Sequence, residues 1–556
     1  MRQKIRLIQC LTFQLIVLAG ALRTVHAVEV VAGKADVQPE ASLKAPAANE
    51  SSEMAELRKK AKERRRRLIY NNDGNDIFNS RHATPESFLA KRIVPALDTQ
   101  VDSIFYCTGA TTLYDHDTDV AERSDDLHQA MDFSEPLSIN RHANMHMLRR
   151  AGVDCLSLVT RRVHEAGLEV FWAHRVNDIH DNNTDWLLSK WKRAHPEYLM
   201  GTREDAKQYD ISHPRFMWST LDFEKPEVLD YLYRITEEVC QRYDVDGSEI
   251  DYFRHPLFFR PNLEYKPATA QQLDILAGFQ RRIREMAYRE GNRRGRPILV
   301  AVHVPLSVEK CLHVGIDVDR WLREDLLDLL VTGSGYQPLS MPMKQMVDLG
   351  HAHAVPVYPN ISDSGMAQWG NRIEAWRGAA SNVWQSGADG IHIFNHFPET
   401  PNDPVFMTAG DSQELAKLDK IFGIDNTAEY YGCLEQGIVQ SQLLPVTFGR
   451  SGQPVEVNLP VGDDLTAAAK AGKLASALLH VQYLARNPND KVELYLNGTL
   501  VALENEDAEK GRVTYRPDQQ LYRTGDNTLG FRLTVSRPNR KQVPTVWSAE
   551  LDVKYR

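Results

Sequence analysis

The sequence has little cysteine, no long apolar run and no excess of positive charge. Six of its 556 residues are cysteine, and they are scattered without metal-ligand spacing. The composition therefore implies neither a disulfide framework nor a zinc knuckle, and most of the cysteines are expected to be small buried residues. The formal net charge of −9 excludes a general affinity for nucleic acid.

The apolar stretch near the N-terminus, Leu11–Leu22, is shorter than the roughly 20 residues that a membrane span needs. Basic residues precede it and a plausible small-residue cleavage site ends at Ala27, so residues 1–27 are predicted to be a secretory signal peptide. An uncleaved anchor is the alternative. Cleavage would remove four basic and no acidic residues, changing the formal charge from −9 to −13. We expect a secreted or periplasmic protein without stable membrane insertion after cleavage.

Residues 28–65 are rich in Ala, Glu, Lys and Pro, which predicts a linker running into a charged helix. The basic block Arg64–Arg67 ends this segment. A run of like charges usually lies on a solvent-exposed face, and we expect these four arginines to be solvated. The alternative is that they form an interaction patch.

Strand-like and helix-like patterns alternate over residues 66–410. The predicted strands are Leu68–Asn72, Asp102–Cys107, Leu168–His174, Gly247–Tyr252, Ile298–Val304, Leu329–Thr332, Val355–Tyr358 and Gly390–Phe394. Eight strands alternating with helices predict an α/β fold, a (β/α)8 TIM barrel. A doubly wound open sheet is the alternative, but no Gly-rich phosphate loop follows the first strand.

The pattern changes after the predicted barrel. Residues 411–442 are predicted to be a helical connector, and residues 443–556 contain short alternating runs separated by turn signals. These runs predict an antiparallel β-sandwich. Such an accessory domain either binds carbohydrate or braces the barrel, and bracing is favoured.

The stretch from Asp246 to Pro256 concentrates ionisable groups at the end of the fourth strand. In an extended strand, Glu249 and Asp251 point to the same side, and acids are costly inside a core unless something uses or neutralises them. Because the carboxyl ends of barrel strands face the active site, this stretch is predicted to form one wall of a catalytic pocket.

Most predicted strands end in polar residues, and these residue types suit glycoside chemistry. One carboxyl group protonates the leaving oxygen and a second acts as nucleophile or base. Asp251 is the first candidate; its candidate partners, in order, are Asp178, Asp73, Glu249 and Asp363. The predicted catalytic residues are thus Asp251, Asp178 and Glu249. The predicted substrate contacts are Asp73, His174, Arg175, Asn177, Arg254, His303, Tyr336, Tyr358, Asn360, Asn395 and His396.

Aromatic residues are frequent in the long loop after the third strand. They are Trp186, Trp191, Tyr198, Tyr209 and Trp218. These residues could form a platform on which sugar rings stack, or they could simply pack the inserted loop; the two interpretations are weighted equally. No metal ligand set and no cofactor are predicted.

The pattern Asp246-Gly247-x-x-x-Asp251-Tyr252-x-Arg254-x-Pro256 resembles the glycoside-hydrolase-like (family 10-like) secreted bacterial glycosidases. Arg175–Asp178 and His195–Glu197 are similar to that group as well. The resemblance covers about residues 68–400 and implies a secreted TIM-barrel hydrolase acting on a polysaccharide. Chitinase-type barrels share a related strand, but Phe253 stands where their catalytic acid would be.

The sequence therefore predicts a secreted glycoside hydrolase with a carbohydrate as its partner. A non-catalytic glycan-binding barrel is one alternative. A metal-dependent amidohydrolase-type enzyme is less favoured, because the first strand offers Asn71-Asn72-Asp73 where that class needs a His-x-His pair. Arg175, Arg254 and His303 suggest, from charge alone, an anionic glycan. The sugar, linkage, stereochemical outcome and oligomeric state are not predicted.

Overall fold

The computed structural model describes residues 50–126, 132, 134–211, 213–333, 342–398, 400–424, 444–448, 452–486, 490–507, 509–534 and 543–556. The predicted signal peptide, most of the predicted linker and Tyr336 lie outside these residues. Within the part of the chain that is described, no helix is long and apolar enough to span a membrane. Cys107, Cys155, Cys240 and Cys311 are free and buried, as expected from the sequence.

Eight parallel strands close into a barrel, which confirms the (β/α)8 prediction and excludes the open-sheet alternative. They are β1 Leu68–Asn72, β2 Val101–Tyr106, β3 Glu169–Arg175, β4 Gly247–Asp251, β5 Leu299–Val304, β6 Leu329–Thr332, β7 Val357–Ser362 and β8 Ile391–Phe394. Each strand pairs with the next in the sequence, and β8 pairs with β1.

Most of the described helices lie between the barrel strands or follow the last of them. They are Asp76–Asn79, Pro85–Arg92, Val94–Leu97, Pro136–Arg150, Cys155–Glu165, Lys190–Ala194, Arg203–Ala206, Pro226–Arg242, Ala270–Arg294, Val308–Val314, Val318–Arg323, Lys344–Ala352, Asp363–Met366, Ile373–Gln385, Pro404–Thr408 and Ser412–Leu415. Ser52–Lys62 precedes β1, and Leu465–Lys470 lies among the antiparallel strands of residues 420–555. The helix before β4, Pro226–Arg242, has proline in its first turn and buries Val228, Leu232, Ile235 and Val239. That spacing places one apolar stripe against the barrel.

A buried ion pair closes the N-terminal end of the barrel. Arg66 is fully buried, and its Nε donates to Glu169 Oε2 at 2.8 Å. Above this pair Phe171 fills the interior, and a Cβ on Gly247 would lie 2.2 Å from its ring, so this position requires glycine. The expectation of a solvated face for the four-arginine block is therefore wrong for Arg66, because its guanidinium is part of the barrel core.

Two antiparallel sheets follow the barrel and share one apolar core, confirming the predicted sandwich. One contains Lys420–Ile424, Thr545–Tyr555, Leu474–Leu484, Arg512–Tyr515 and Leu503–Asp507, with Val446–Thr447 beside Thr545–Tyr555; the other contains Val455–Val461, Gly525–Leu533, Val492–Leu496 and Thr499–Leu500. Strand Lys420–Ile424 lies inside the segment predicted to be a helical connector. It pairs with Thr545–Tyr555, so the sheet begins within that segment.

The sandwich packs against the last long helix of the barrel domain, Ile373–Gln385. A Cβ on Gly378 of this helix would lie 1.9 Å from the carbonyl oxygen of Ile421, so helix and strand are in close contact. Ser381 Oγ donates to Asp463 Oδ1 at 2.5 Å. These contacts fit the interpretation that the sandwich braces the barrel.

Candidate active site

Three polar residues lie side by side where β3, β4 and β5 end. In the strand register Arg175 is opposite Asp251, and Asp251 is opposite His303. All three are buried, at 5%, 2% and 2% exposure. Because the carboxyl ends of the strands form the catalytic face of TIM barrels, these residues define the candidate active site.

The guanidinium of Arg175 lies between two carboxylates. Its Nη1 is 3.6 Å from Asp178 Oδ2, and its Nε is 4.0 Å from Asp251 Oδ2. Asp178 comes from the loop after β3 and Asp251 from the end of β4, so adjacent strand ends place both acids around one cation. This positive charge offsets part of the cost of burying the two carboxylates.

Asp178 is held as an anion by its surroundings. Its Oδ1 accepts hydrogen bonds from the backbone N–H of His180 at 2.8 Å and from the imidazole Nδ1 of the same residue at 2.5 Å. Burial opposes ionisation, but His180, His255 and Arg175 together hold the pKa of Asp178 well below its usual value. This carboxylate is therefore charged at neutral pH.

Arg254 connects the loops that follow β3 and β4. Its backbone N–H donates to Asp251 Oδ1 at 2.8 Å, and its Nη2 lies 3.0 Å from His180 Nε2. Its Nε is 4.0 Å from Asp178 Oδ2. A second guanidinium therefore lies beside Asp178.

Glu249 lies one layer deeper than Asp251, inside the barrel. In the register its neighbours are Ala173 and Ala301, whose small side chains leave room for the carboxyl group. Burial and the charge of Asp251 raise the pKa of Glu249 well above its usual value. Glu249 was predicted to be catalytic, but it lies beneath the mouth of the barrel.

Two predicted substrate contacts lie away from this mouth. His174 lies on the outer side of β3, where its Nδ1 is 3.0 Å from Thr236 Oγ1 of a covering helix. Tyr358 is the second residue of β7 and lies near the Arg66 guanidinium, at the opposite end of the barrel. Neither position supports contact with a ligand at the C-terminal face.

Two further predicted contacts already have partners within the protein. Asn177 Nδ2 donates to the Leu257 carbonyl at 2.5 Å, and its Oδ1 accepts from the Leu221 N–H at 2.9 Å, which ties the loops together. Asp73 Oδ1 accepts from Arg92 Nη1 at 3.0 Å in the turn after β1.

The last strands hold the other predicted residues. Asn360 is buried inside the barrel on β7, and half-buried Asn395 follows β8 with a positive φ of 54°. His396 Nε2 lies 2.9 Å from Asp403 Oδ1, and its Nδ1 lies 3.9 Å from the half-exposed Asp363. Asp363 therefore lies near His396, immediately after β7.

The predicted site residues did not include three histidines of this region. His180 and His255 hold the charge of Asp178, and His392 points into the barrel from β8. Side chains along β8 point alternately inward and outward, and His392 lies two residues before the inward-facing Phe394. This alternation could have identified His392 from the sequence. The roles of His180 and His255 depend on loop geometry, which has no signal in the spacing.

The aromatic residues after β3 are partly used in packing. Trp191 stacks on Tyr231 with ring centroids 4.5 Å apart, and the Trp218 Nε1 donates to the Asn182 carbonyl at 3.0 Å. Trp191 and Tyr198 also line a surface depression of about 450 Å³. None of the predicted site residues lines this depression.

Together, the fold and the site define a (β/α)8 barrel with a carboxylate pair at its C-terminal face. No protein-family model and no curated protein sequence matches the chain. The resemblance to family 10-like glycosidases therefore stays a prediction.

Solved structures similar to the chain include three with low identity. The glycoside hydrolase domain of PgaB (BpsB) from Bordetella bronchiseptica is 12% identical, with 60% of this chain and 94% of that chain covered and a TM-score of 0.39. Alpha-L-fucosidase isoenzyme 2 from Paenibacillus thiaminolyticus is 14% identical, with 64% of this chain and 49% of that chain covered and a TM-score of 0.37. The endo-beta-1,4-mannanase from Thermotoga petrophila is 10% identical, with 88% of this chain and 98% of that chain covered and a TM-score of 0.37. Similarities this low assign no function to the chain.

Proposed function

We propose that this protein is a glycoside hydrolase whose chemistry is carried out by Asp178 and Asp251. The observation that supports this proposal is the placement of both carboxylates, from adjacent strand ends, within 4.0 Å of the Arg175 guanidinium. Glycosidic bond cleavage requires two carboxyl groups beside the scissile bond. The C-terminal face of the barrel is where such a pair would act.

The surroundings of the two acids divide their roles. Asp178, ionised at neutral pH, suits the anionic role of nucleophile or base. Asp251 then transfers the proton to or from the glycosidic oxygen. Arg175 and Arg254 position the pair rather than take part in bond cleavage.

A neutral glycan fits the site better than the anionic glycan suggested by sequence. Arg175 faces Asp178 and Asp251, and Arg254 Nε lies 4.0 Å from Asp178 Oδ2. Both guanidinium groups therefore already face carboxylates of the protein. We propose a neutral poly- or oligosaccharide substrate, met outside the cytoplasm after removal of the signal peptide.

The proposal is tested by measuring reducing-sugar release from a panel of neutral and acidic polysaccharides. Wild type and Asp251→Asn are compared, with the exposed Asp348→Asn as a control for the substitution itself. We expect release from a neutral glycan to fall about 10²–10⁴-fold in Asp251→Asn and to be unchanged in the control. Retained binding of a glycan without any release by wild type would contradict the hydrolase and favour a glycan-binding barrel.

A further inference from the structure

We infer that Glu249, His303 and His392 form a binding site for a divalent transition-metal ion inside the barrel, directly below the Asp178–Asp251 pair. The inference does not depend on the proposed glycosidase chemistry, although His303 belongs to both sites. The three side chains come from β4, β5 and β8, and all are fully or almost fully buried.

The three side chains converge on one point. Glu249 Oε1 is 3.7 Å from His303 Nδ1 and 3.8 Å from His392 Nε2. One ligand atom from each residue lies within 4.8 Å of the others. Ligand atoms about 2.1 Å from a tetrahedral zinc ion are about 3.4 Å apart, so small side-chain movements would suffice to bind one.

The outer hydrogen bonds of both histidines orient lone pairs toward Glu249. His303 Nε2 lies 2.6 Å from the Gly333 carbonyl oxygen, which only accepts, so Nε2 carries the proton and Nδ1 is free to bind. His392 Nδ1 lies 3.1 Å from Asn360 Oδ1, which leaves its Nε2 as the lone-pair donor. Metal-binding histidines are oriented by the same kind of outer contact.

The inward-facing atoms have no hydrogen-bond partner among the described residues. This holds for both carboxyl oxygens of Glu249, for His303 Nδ1 and for His392 Nε2. An unpartnered polar group in a core is costly, and here three of these atoms, one from each residue, converge on one point and lie within 4.8 Å of one another. A cation at that point would satisfy all the converging lone pairs at once.

The donor set selects the class of ion. Two imidazoles and one carboxylate suit Zn²⁺ and other first-row divalent ions, whereas Ca²⁺ and Mg²⁺ prefer oxygen ligands. The Nδ1 of His303 is also 3.8 Å from Asp251 Oδ1, so a bound ion would lie close to this acid. The rival occupant is a water molecule that donates to both imidazoles.

A zinc-binding experiment on the full chain distinguishes a metal ion from a water molecule at this site. The protein is stripped with a chelator, titrated with Zn²⁺ by calorimetry, and assayed for bound metal after gel filtration. We expect one zinc per chain in wild type and more than 100-fold weaker binding in Glu249→Gln and His392→Gln. Asn360→Ala, which removes only the outer contact, should weaken binding about 10–100-fold.

His174→Gln is the matched control, because His174 is also buried but faces the outer helices. It should retain the zinc, and Ca²⁺ should not compete. Circular dichroism of each variant verifies the fold. Absence of stoichiometric zinc in wild type, or equal zinc binding in Glu249→Gln, His392→Gln and wild type, would overturn the proposal and leave a buried water as the occupant.

Discussion

Asp178 follows β3 and Asp251 ends the neighbouring strand β4, and their Oδ2 atoms lie 3.6 Å and 4.0 Å from the same guanidinium, that of Arg175. The strand register creates this relationship, because Arg175 and Asp251 are lateral neighbours in the barrel. One cation thus interacts with two carboxylates in a buried site, where electrostatic interactions are stronger than in water.

His180→Gln is expected to shift the acid limb of the pH–rate profile to higher pH. Imidazole and backbone contacts of His180 help to hold the pKa of Asp178 well below its usual value. Without the imidazole that pKa rises, so Asp178 is protonated at a higher pH, and the limb of kcat/KM should move by about 1 pH unit or more. His195→Gln, which removes a surface partner of Glu197, is the control. An unchanged limb in His180→Gln would contradict the anionic role of Asp178.

Glu169→Gln is expected to destabilise the barrel strongly. It leaves the buried guanidinium of Arg66 without its counter-charge, at a cost of about 3–5 kcal/mol. The measurement is the midpoint of chemical denaturation. Asp348→Asn, in the exposed pair with Lys344, should leave the midpoint unchanged. Equal midpoints for wild type and Glu169→Gln would show that this pair does not hold the barrel closed.

The barrel strands could be predicted from the sequence because apolar runs and breaker residues mark them. Leu68–Asn72 and Leu329–Thr332 have the predicted bounds. The position of Arg66 could not be predicted, since its burial depends on Glu169, about 100 residues away in the sequence. Strand Lys420–Ile424 was missed because it pairs with Thr545–Tyr555, at the far end of the chain.

The site was predicted in part. Alternation along β4 correctly turns Glu249 and Asp251 to the same face, and the end of β3 supplies Arg175. Whether an asparagine or histidine contacts solvent, another loop or the core depends on tertiary partners. Asn177 and His174 are examples, since hydrogen bonds to distant residues occupy Asn177 in a contact between loops and hold His174 on the outer side of β3.

Gly378→Ala is expected to weaken packing between barrel and sandwich, although alanine favours helices. A Cβ there would lie 1.9 Å from the Ile421 carbonyl oxygen, and such overpacking costs about 1–3 kcal/mol. Gly278→Ala is the matched control in another helix, with no atom within 4 Å of the added Cβ, and should be neutral or stabilising by up to about 1 kcal/mol. Thermal melting compares them. Equal behaviour of the two variants would contradict the close contact.

The stability supplied by His396 should depend on pH. Burial opposes its charge, but Asp363 and Asp403 raise its pKa to about 9. The folded-state pKa lies above the unfolded value near 6.5, so this stabilisation is complete below pH 6.5 and is lost as pH rises through 9. Its size is on the order of 3 kcal/mol. The stability difference between wild type and His396→Gln should shrink over this window; a pH-independent difference would refute the assignment.

The most direct test of the proposed chemistry is a double-mutant cycle on the glycan that wild type degrades. Turnover is measured for Asp178→Asn, Asp251→Asn and the double variant, with folding verified for each. Two acids that act as a unit should show single losses of similar size, and the double variant should be scarcely slower than either single variant. Turnover near the wild-type value in either single variant, or losses that multiply in the double variant, would contradict a shared catalytic role.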